Sequence, residues 1–214
     1  MTNQYQDLKN FKLPKKFRGR SAIIVQTWWI TQRILFNLSP QILYGWRNFL
    51  LRLFGAKIGE NARLRPSVRI TYPWNLTIGD YSWIGDDVTL YTLGEITIGS
   101  NTVISQNCYL ATGSHDYQRQ TFDIYTKRIS IGDGVWLASD VFVFPGITIG
   151  DGTVVGARST VIDDLPEGVV CFGNPAKPVK QREMKVDLGA IYLMVMNVII
   201  ILRLFETLAP FVKH

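Results

Sequence analysis

Aliphatic residues recur at every sixth position across about half of the chain, in five sets of three. The sets are Ile58, Leu64, Ile70; Ile78, Ile84, Leu90; Ile98, Ile104, Leu110; Ile131, Leu137, Val143; and Ile149, Val155, Val161. A small or β-branched residue usually follows four positions later, and a glycine often follows directly. A hexapeptide period indicates a parallel β-helix in which three hexads form one triangular turn. We expect five turns with both residue sets pointing inward, and corner glycines in conformations that only glycine tolerates.

Apolar, aromatic stretches at residues 21–38 and 41–54 precede the repeat and predict α-helices. In the second stretch, apolar residues recur at three- and four-residue steps, which is typical of an amphipathic helix. Pro40 suits the start of that helix, because a first-turn residue needs no N–H donor. The uncharged run at 188–202 predicts another helix, which at about 22 Å is shorter than a bilayer core requires. We expect this helix to pack or to insert at an interface rather than to span a membrane.

The predicted domains are a basic, amphipathic helical segment (1–57), the β-helix (58–182) and an apolar C-terminal helix (183–214). Residues 1–57 hold ten Lys and Arg against the single acid Asp7. Basic residues among tryptophans suit a helix lying on an anionic membrane surface, and the alternative is a helix that caps the β-helix or packs in an oligomer. Because the positive charge is confined to this segment, no nucleic-acid partner is expected.

The predicted location is the cytoplasm, at the inner face of the cytoplasmic membrane. The first 20 residues are polar and basic, without the apolar core of a secretory signal. The two cysteines provide no disulfide framework, which fits a reducing compartment. Cys108 falls on an inward small-residue position, which predicts a structural thiol rather than a nucleophile. The Cys and His residues form no cluster that predicts a metal site.

A loop at residues 113–129 interrupts the repeat and carries His115, the only histidine besides the C-terminal His214. Long loops on a regular scaffold are frequently functional. A neutral imidazole is suited to take a proton from a sugar hydroxyl during attack on a thioester. We therefore predict that His115 is a general base, oriented either by Asp116, as in a catalytic triad, or by a backbone carbonyl of a neighbouring turn.

These residues resemble the hexapeptide-repeat, left-handed β-helix acyltransferases, which implies a left-handed helix. The closest similarity is to the branch that O-acetylates bacterial exopolysaccharides, of the colanic-acid biosynthesis type. The similarity covers about residues 40–182 and rests on GWRNFLLRLFGAKIG, PWNLTIGDYSWIGD, TVISQNCYLATGSHDY and VVGARSTVIDDLPEGVVCFGNPAKPVKQR. That branch usually ends near residues 180–182, so the C-terminal run is a departure from it.

The resemblance implies roles for individual residues. His115 falls on the catalytic histidine, and Asn107, eight residues earlier, falls on an asparagine that lines the acetyl and acceptor pocket. The residues implied for acetyl-CoA are Ser139 and Ala157 along the pantetheine slot, Trp136 as a wall of that slot, and Lys177 and Lys180 at the nucleotide phosphates. Trp136 is equally suited to packing between turns. Asp163 stands where the family commonly has a lysine, which weakens the implied phosphate site.

The sequence therefore predicts an all-β left-handed parallel β-helix flanked by terminal α-helices. The expected activity is transfer of acetyl from acetyl-CoA to a sugar hydroxyl of an exopolysaccharide unit built on a membrane lipid. The resemblance implies a homotrimer with each site between two prisms. The alternatives are an acetyltransferase for serine, maltose, galactoside or amino sugars, and a non-catalytic scaffold. The zinc carbonic anhydrases of this fold are excluded, because one internal histidine cannot supply three ligands.

Overall fold

The computed structural model describes residues 5–15, 17–185 and 196. The chain divides into a compact unit Met1–Arg182 and a second unit Glu183–His214. The helix predicted for residues 183–214 lies almost entirely outside the described residues. Among the residues that the structure describes, no helix combines the length and apolar character needed to cross a bilayer.

The N-terminal segment contains two α-helices with short irregular turns around them. The segment begins with a 3₁₀ turn at Leu8–Asn10, and a second 3₁₀ turn at Pro73–Asn75 lies within the repeat. Helix α1 spans Ala22–Thr31 and continues into a π-helical turn, Gln32–Phe36, and helix α2 spans Tyr44–Leu53. Pro40 lies in the turn before α2, where its carbonyl accepts a hydrogen bond from Leu43 N. The predicted start of this helix at Pro40 is therefore wrong.

The helices cover the open first turn of the β-helix, and their side chains donate hydrogen bonds to its carbonyl groups. The donor and acceptor pairs are Trp28 with Ile70, Asn37 with Pro66, Arg47 with Leu64, Asn48 with Ala62 and Arg52 with Ile58. An uncovered strand edge would leave these groups unpaired and open to another chain. The N-terminal helices thus terminate the solenoid.

The repeat region is built from very short strands. In the first three turns the strands are β1 Lys57–Ile58, β2 Arg63–Leu64, β3 Arg69–Ile70, β4 Leu76–Ile78, β5 Trp83–Ile84, β6 Thr89–Tyr91, β7 Ile96–Ile98, β8 Val103–Ile104 and β9 Tyr109–Ala111. The loop adds β10 Gly113–His115 and β11 Ile124–Thr126. The later strands are β12 Ile129–Ile131, β13 Trp136–Leu137, β14 Phe142–Val143, β15 Thr148–Ile149, β16 Val154–Val155, β17 Thr160–Val161, β18 Val169–Gly173 and β19 Ala176–Gln181.

These strands stack into three parallel faces. Face A has the order β1-β4-β7-β12-β15, face B has β2-β5-β8-β13-β16-β18, and face C has β3-β6-β9-β14-β17. Strand β19 closes face B by pairing antiparallel with β18. The chain therefore forms five complete turns and the beginning of a sixth, in agreement with the predicted parallel β-helix.

Both predicted inward sets line the interior. The fifteen aliphatic positions are at most 8% exposed, and the small residues between them are buried as well. Inward residues at equivalent positions of successive turns stack on each other, as Ile58 does on Ile78. Burying two residues of every hexad gives a continuous core, so the prediction from the period is confirmed.

The glycines after the aliphatic positions serve close packing rather than unusual backbone angles. A Cβ added to Gly79 would lie 2.6 Å from the backbone nitrogen of Ser100 in the next turn. The left-handed conformation instead occurs two residues later, at positions such as Asn61 (φ 51°) and Asn101 (φ 54°). The predicted reason for these glycines is therefore wrong, because the tight stacking of turns excludes a side chain there.

Candidate active site

The loop at 113–129 forms a hairpin that we call the arm, comprising β10, β11 and the turn between them. The arm leaves the corner between faces C and A after β9, and the chain rejoins face A at β12. Its strands pair antiparallel, with His115 opposite Ile124. The predicted loop is thus a structured element, and His115 lies at the end of its first strand.

The His115 ring is held by backbone and aromatic contacts within the arm. Its Nδ1 lies 2.8 Å from the carbonyl oxygen of Phe122, and the two rings stack with centroids 4.2 Å apart. A carbonyl only accepts hydrogen bonds, so Nδ1 carries a proton, and in the neutral imidazole Nε2 is then the nitrogen with the lone pair. The arm therefore presents His115 in the tautomer that a general base requires.

Asp116 makes contacts within the arm rather than to the imidazole. Its carboxylate accepts a hydrogen bond from Gln118 N at 3.0 Å and pairs with Arg119 at 3.3 Å. Its backbone N–H donates to Asp123 O, across the hairpin. Of the two predicted ways to orient His115, the geometry provides the carbonyl, but from the arm itself rather than from a neighbouring turn.

The N-terminal residues lie against the arm. Asp7 N donates to Gln120 O at 2.7 Å, and the Phe11 ring lies 6.1 Å from the His115 ring, centroid to centroid. His115 is only partly exposed as a result of these contacts and its stack on Phe122. The segment before the helices therefore contributes one side of the surroundings of the imidazole.

Asn107 lies at the corner between faces B and C, two residues before β9 begins at Tyr109. Its φ is 61°, and the same left-handed conformation occurs at this corner in other turns, at Asp87, Asp140 and Arg158. Asparagine tolerates this conformation better than most residues, so backbone geometry alone favours an asparagine there. Its exposed side chain remains available to a ligand.

The residues predicted along the pantetheine slot lie together on the same corner. Ser139 and Ala157 occupy equivalent places in adjacent turns, two residues after the paired Leu137 and Val155. Trp136 lies on the adjoining face B, 46% exposed, and its indole N–H donates to Ser105 Oγ at 3.0 Å. This bond ties Trp136 to the preceding turn and holds its ring beside the corner.

The two predicted phosphate ligands lie on the last strand, β19. Lys180 is opposite Val170 in the pairing with β18, and its side chain is exposed. Lys177 Nζ forms an ion pair with Asp163 Oδ2 at 2.8 Å. Asp163, which departs from the family pattern, therefore partly neutralises Lys177, one of the two lysines predicted to bind phosphate.

Cys108 is a core residue, as predicted. It is fully buried, and its thiol donates to Ala138 O at 3.0 Å. Burial raises the pKa of the Cys108 thiol to about 12, so the reactive thiolate is absent near neutral pH. Within the described part of the chain, no three acidic, His or Cys side chains are grouped as a metal site requires.

Within one chain, the predicted residues form two groups at different corners of the prism. Asn107, Ser139 and Ala157 share the corner between faces B and C, and Trp136 and the lysines adjoin it. His115 leaves from the opposite end of face C, on the arm. The predicted general base and the predicted donor slot are therefore separated by the width of one face.

Two residues with a place in this geometry were missed from the sequence. Phe122 orients His115 through its carbonyl, and a backbone carbonyl leaves no side-chain signal. Phe172 is 50% exposed and lies directly over Gly156, where a Cβ would collide with its ring. The sequence signal for Phe172 is an aromatic residue about one turn of the β-helix after a glycine, Gly156.

The fold and the arm define a hexapeptide-repeat acetyltransferase, and comparison with known proteins shows that the chain belongs to that family. No family model matches it. Over 177 residues the chain is 64% identical to an Escherichia coli K12 protein with the provisional name colanic acid biosynthesis acetyltransferase WcaF. This alignment covers 83% of the present chain and 97% of the relative.

Solved structures of the family share the fold. A Vibrio cholerae hexapeptide-repeat acetyltransferase, solved with acetyl coenzyme A, has a TM-score of 0.69 and 25% identity over 86% of this chain and all of that one. A galactoside acetyltransferase solved with coenzyme A has a TM-score of 0.70 and 28% identity, covering 80% of this chain and 85% of that one. The predicted left-handed β-helix is thereby confirmed.

Proposed function

We propose that this chain transfers the acetyl group of acetyl-CoA to a sugar hydroxyl during exopolysaccharide biosynthesis of the colanic-acid kind. The observation that carries the proposal is the hydrogen bond from His115 Nδ1 to the Phe122 carbonyl, because it leaves Nε2 free to accept a proton. The kinship with acetyltransferases that bind acetyl coenzyme A, and with a relative named for colanic acid, supports the donor and the acceptor.

The proposed reaction is a direct transfer in a ternary complex. His115 Nε2 takes the proton of the acceptor hydroxyl while the hydroxyl oxygen attacks the thioester carbonyl carbon of acetyl-CoA. The tetrahedral intermediate collapses with cleavage of the carbon–sulfur bond, and the imidazolium returns the proton to the sulfur of CoA. Backbone N–H groups stabilise the negative oxygen in between. Asn107 is proposed to hold the acceptor, and Asp116 to keep the arm in shape.

The donor is proposed to lie along the corner between faces B and C. Ser139 and Ala157 present backbone groups of adjacent turns to the pantetheine arm, and Trp136 walls the slot. Lys177 and Lys180 follow at the end of the prism, where they attract the nucleotide phosphates. The corner supports this role because Ser139 and Ala157 have small side chains, one of them half-buried and the other exposed.

A homotrimer is proposed because one chain separates the two halves of the site. The arm carrying His115 leaves one corner of the prism, and the donor residues line another. A neighbouring prism that places its donor corner against the arm completes the site between two chains. Sedimentation velocity of the full chain tests this proposal, since a monomer with full activity contradicts it.

Contact with the inner face of the cytoplasmic membrane is also proposed. Large apolar side chains are exposed on the N-terminal helices and on the turn between them, including Ile23 (78%) on α1 and Leu38 (76%) and Ile42 (81%) in that turn. The segment has a net charge of about +9. An acceptor assembled on a membrane lipid would then be within reach. Co-sedimentation with vesicles containing anionic phospholipid is the measurement, and equal recovery with neutral vesicles contradicts the charge argument.

The decisive experiment measures acetyl transfer from acetyl-CoA to oligosaccharides of de-O-acetylated colanic acid, detected by mass spectrometry. His115→Ala should lower the rate by about 10²- to 10⁴-fold, as loss of a general base does, while acetyl-CoA binding persists. Near-normal turnover by this variant contradicts the mechanism. Transfer to serine or maltose but not to the oligosaccharides would contradict the proposed exopolysaccharide acceptor. Failure to bind acetyl-CoA would favour the alternative of a non-catalytic scaffold.

A further inference from the structure

A hollow of about 650 Å³ lies between helix α2 and the first turn of the β-helix. Six of the nine residues in its wall carry a polar group on the side chain: Tyr44, Asn48, Arg52, Glu60, Asn61 and Arg63. It opens at the corner between faces A and B of the first turn, whereas the arm leaves the corner between faces C and A two turns later. At about 4.8 Å per turn, this hollow and His115 lie roughly 10 Å apart along the axis, on different corners.

Asn48 supplies the strongest sign that this hollow binds a ligand. The residue is only 6% exposed, and its Nδ2 donates to Ala62 O at 2.8 Å. Its Oδ1 has no hydrogen-bond partner among the described residues. The Oδ1 atom is itself enclosed, so a ligand in the hollow reaches it only if the Asn48 amide turns towards the hollow. Because buried polar atoms are nearly always paired, a hydroxyl or N–H donor in the hollow would favour that turn.

The other polar groups around the hollow offer both donors and acceptors. Arg52 uses Nε and one terminal nitrogen on the carbonyls of Ile58 and Gly59, which fixes its guanidinium at the rim. The Arg63 guanidinium lies 5.9 Å from the Tyr44 ring centroid and 5.3 Å from that of Trp83. The Glu60 side chain is exposed, so its carboxylate remains accessible to a ligand.

This combination favours a sugar over a phosphate group. A phosphodiester or a fully ionised phosphate ester offers only acceptor oxygens, which cannot pair with Asn48 Oδ1 and are repelled by the Glu60 carboxylate. A sugar residue presents several hydroxyls that both donate and accept, and its apolar ring face can lie on an aromatic ring. The two arginines then donate to sugar oxygens, while Asn48 and Glu60 accept from hydroxyls.

We propose that this hollow is a second saccharide site, which holds a sugar residue of the acceptor chain away from the residue being acetylated. The inference rests on the proposed function in one respect, namely that the acceptor is a saccharide longer than one unit. Engaging the chain at a second place raises its effective concentration at the catalytic arm. It also selects polymeric acceptors over free monosaccharides.

The test is isothermal titration calorimetry of the full chain with oligosaccharides of de-O-acetylated colanic acid, at least two repeat units long. Asn48→Ala and the exposed Glu60→Ala should each weaken binding by about threefold to tenfold, the loss expected for one hydrogen bond. The matched control is Asn37→Ala, because Asn37 also donates to a first-turn carbonyl, that of Pro66, but lies outside the hollow. Its dissociation constant should stay within about twofold of wild type.

Unchanged binding by both hollow variants, or equal weakening by Asn37→Ala, overturns the proposal. Tighter binding of inorganic pyrophosphate by Glu60→Ala, without any effect on the oligosaccharide, would show a phosphate site instead. Acetylation of the same oligosaccharide by the wild-type protein separates the two proposals. If oligosaccharide binding depends on Asn48 but no acetyl is transferred, the proposed function is wrong and the second site stands. If acetyl is transferred but neither hollow variant alters binding, the second site is wrong and the proposed function stands.

Discussion

Removing the carboxylate of Asp163 should improve, rather than impair, the use of acetyl-CoA. Lys177 Nζ lies 2.8 Å from Asp163 Oδ2, and the two side chains are 60% and 59% exposed. An exposed ion pair of this kind contributes at most about 1 kcal/mol, which corresponds to about fivefold in an equilibrium constant. If Lys177 binds a nucleotide phosphate, Asp163 competes with that phosphate for the ammonium group. We therefore expect Asp163→Asn to lower the KM for acetyl-CoA by about twofold to fivefold, with little change in kcat.

The assay is the initial rate of acetyl transfer at low salt with acetyl-CoA and, separately, with acetyl-pantetheine, which lacks the nucleotide and its phosphates. The KM for acetyl-pantetheine should not change, and the gain with acetyl-CoA should shrink at about 0.5 M salt through screening. Asp164→Asn is the matched control, because it removes the same charge while Asp164 Oδ1 accepts from Thr148 N instead of pairing with Lys177. An unchanged KM in Asp163→Asn, or the same decrease in Asp164→Asn, would refute the assignment of Lys177.

Three further predictions concern the scaffold. Arg47→Met should lower the free energy of unfolding by about 3 kcal/mol in urea titrations, because the buried guanidinium donates to the Leu64, Pro40 and Gln41 carbonyls. A loss below about 1 kcal/mol would show that these hydrogen bonds contribute little to stability. Iodoacetamide at pH 8 should leave Cys108 unmodified in the native protein and label it after denaturation, and stoichiometric native labelling by intact mass would refute its burial. The hydrogen bond from Arg65 lowers the pKa of Asp86, so the pair stabilises the fold above the unfolded value of about 3.9 and stops doing so as pH falls through the lowered folded value. Asp86→Asn should therefore reduce Tm more at pH 7 than at pH 2, and an equal loss at both pH values would contradict the pair.

The β-helix was predictable because its signal is local and repeated. Each hexad places one aliphatic and one small residue inward, and the burial of both sets follows from the period alone. The start of α2 was not predictable, because the carbonyls of Pro40 and Gln41 are engaged by Arg47, which adds tertiary hydrogen bonds to the turn before the helix. Glycines such as Gly79 were recognised, but their role depends on the distance to the next turn, which the sequence does not state.

The candidate site shows the same division. His115 could be predicted as a candidate because it is isolated in a break of the repeat, and Asn107 because the acetyltransferases that the sequence resembles have a pocket asparagine eight residues before their histidine. The group that orients the imidazole could not be predicted, because it is the backbone carbonyl of Phe122, which every residue type has. The hollow beneath α2 was also invisible in the sequence, because Asn48 and Glu60 lie on separate elements that only packing brings together.

The sequence by itself determined the β-helix and its core and singled out His115 as the candidate general base, because these depend on the order of residue types along the chain. The tertiary structure decided which nitrogen of His115 meets the Phe122 carbonyl, how far His115 lies from the corner predicted to hold the donor, and which charge Lys177 meets. Those properties depend on distances between groups that are remote in sequence or belong to the backbone. A periodic sequence specifies where each turn lies, but contacts between turns, arm and helices determine what the surface can bind.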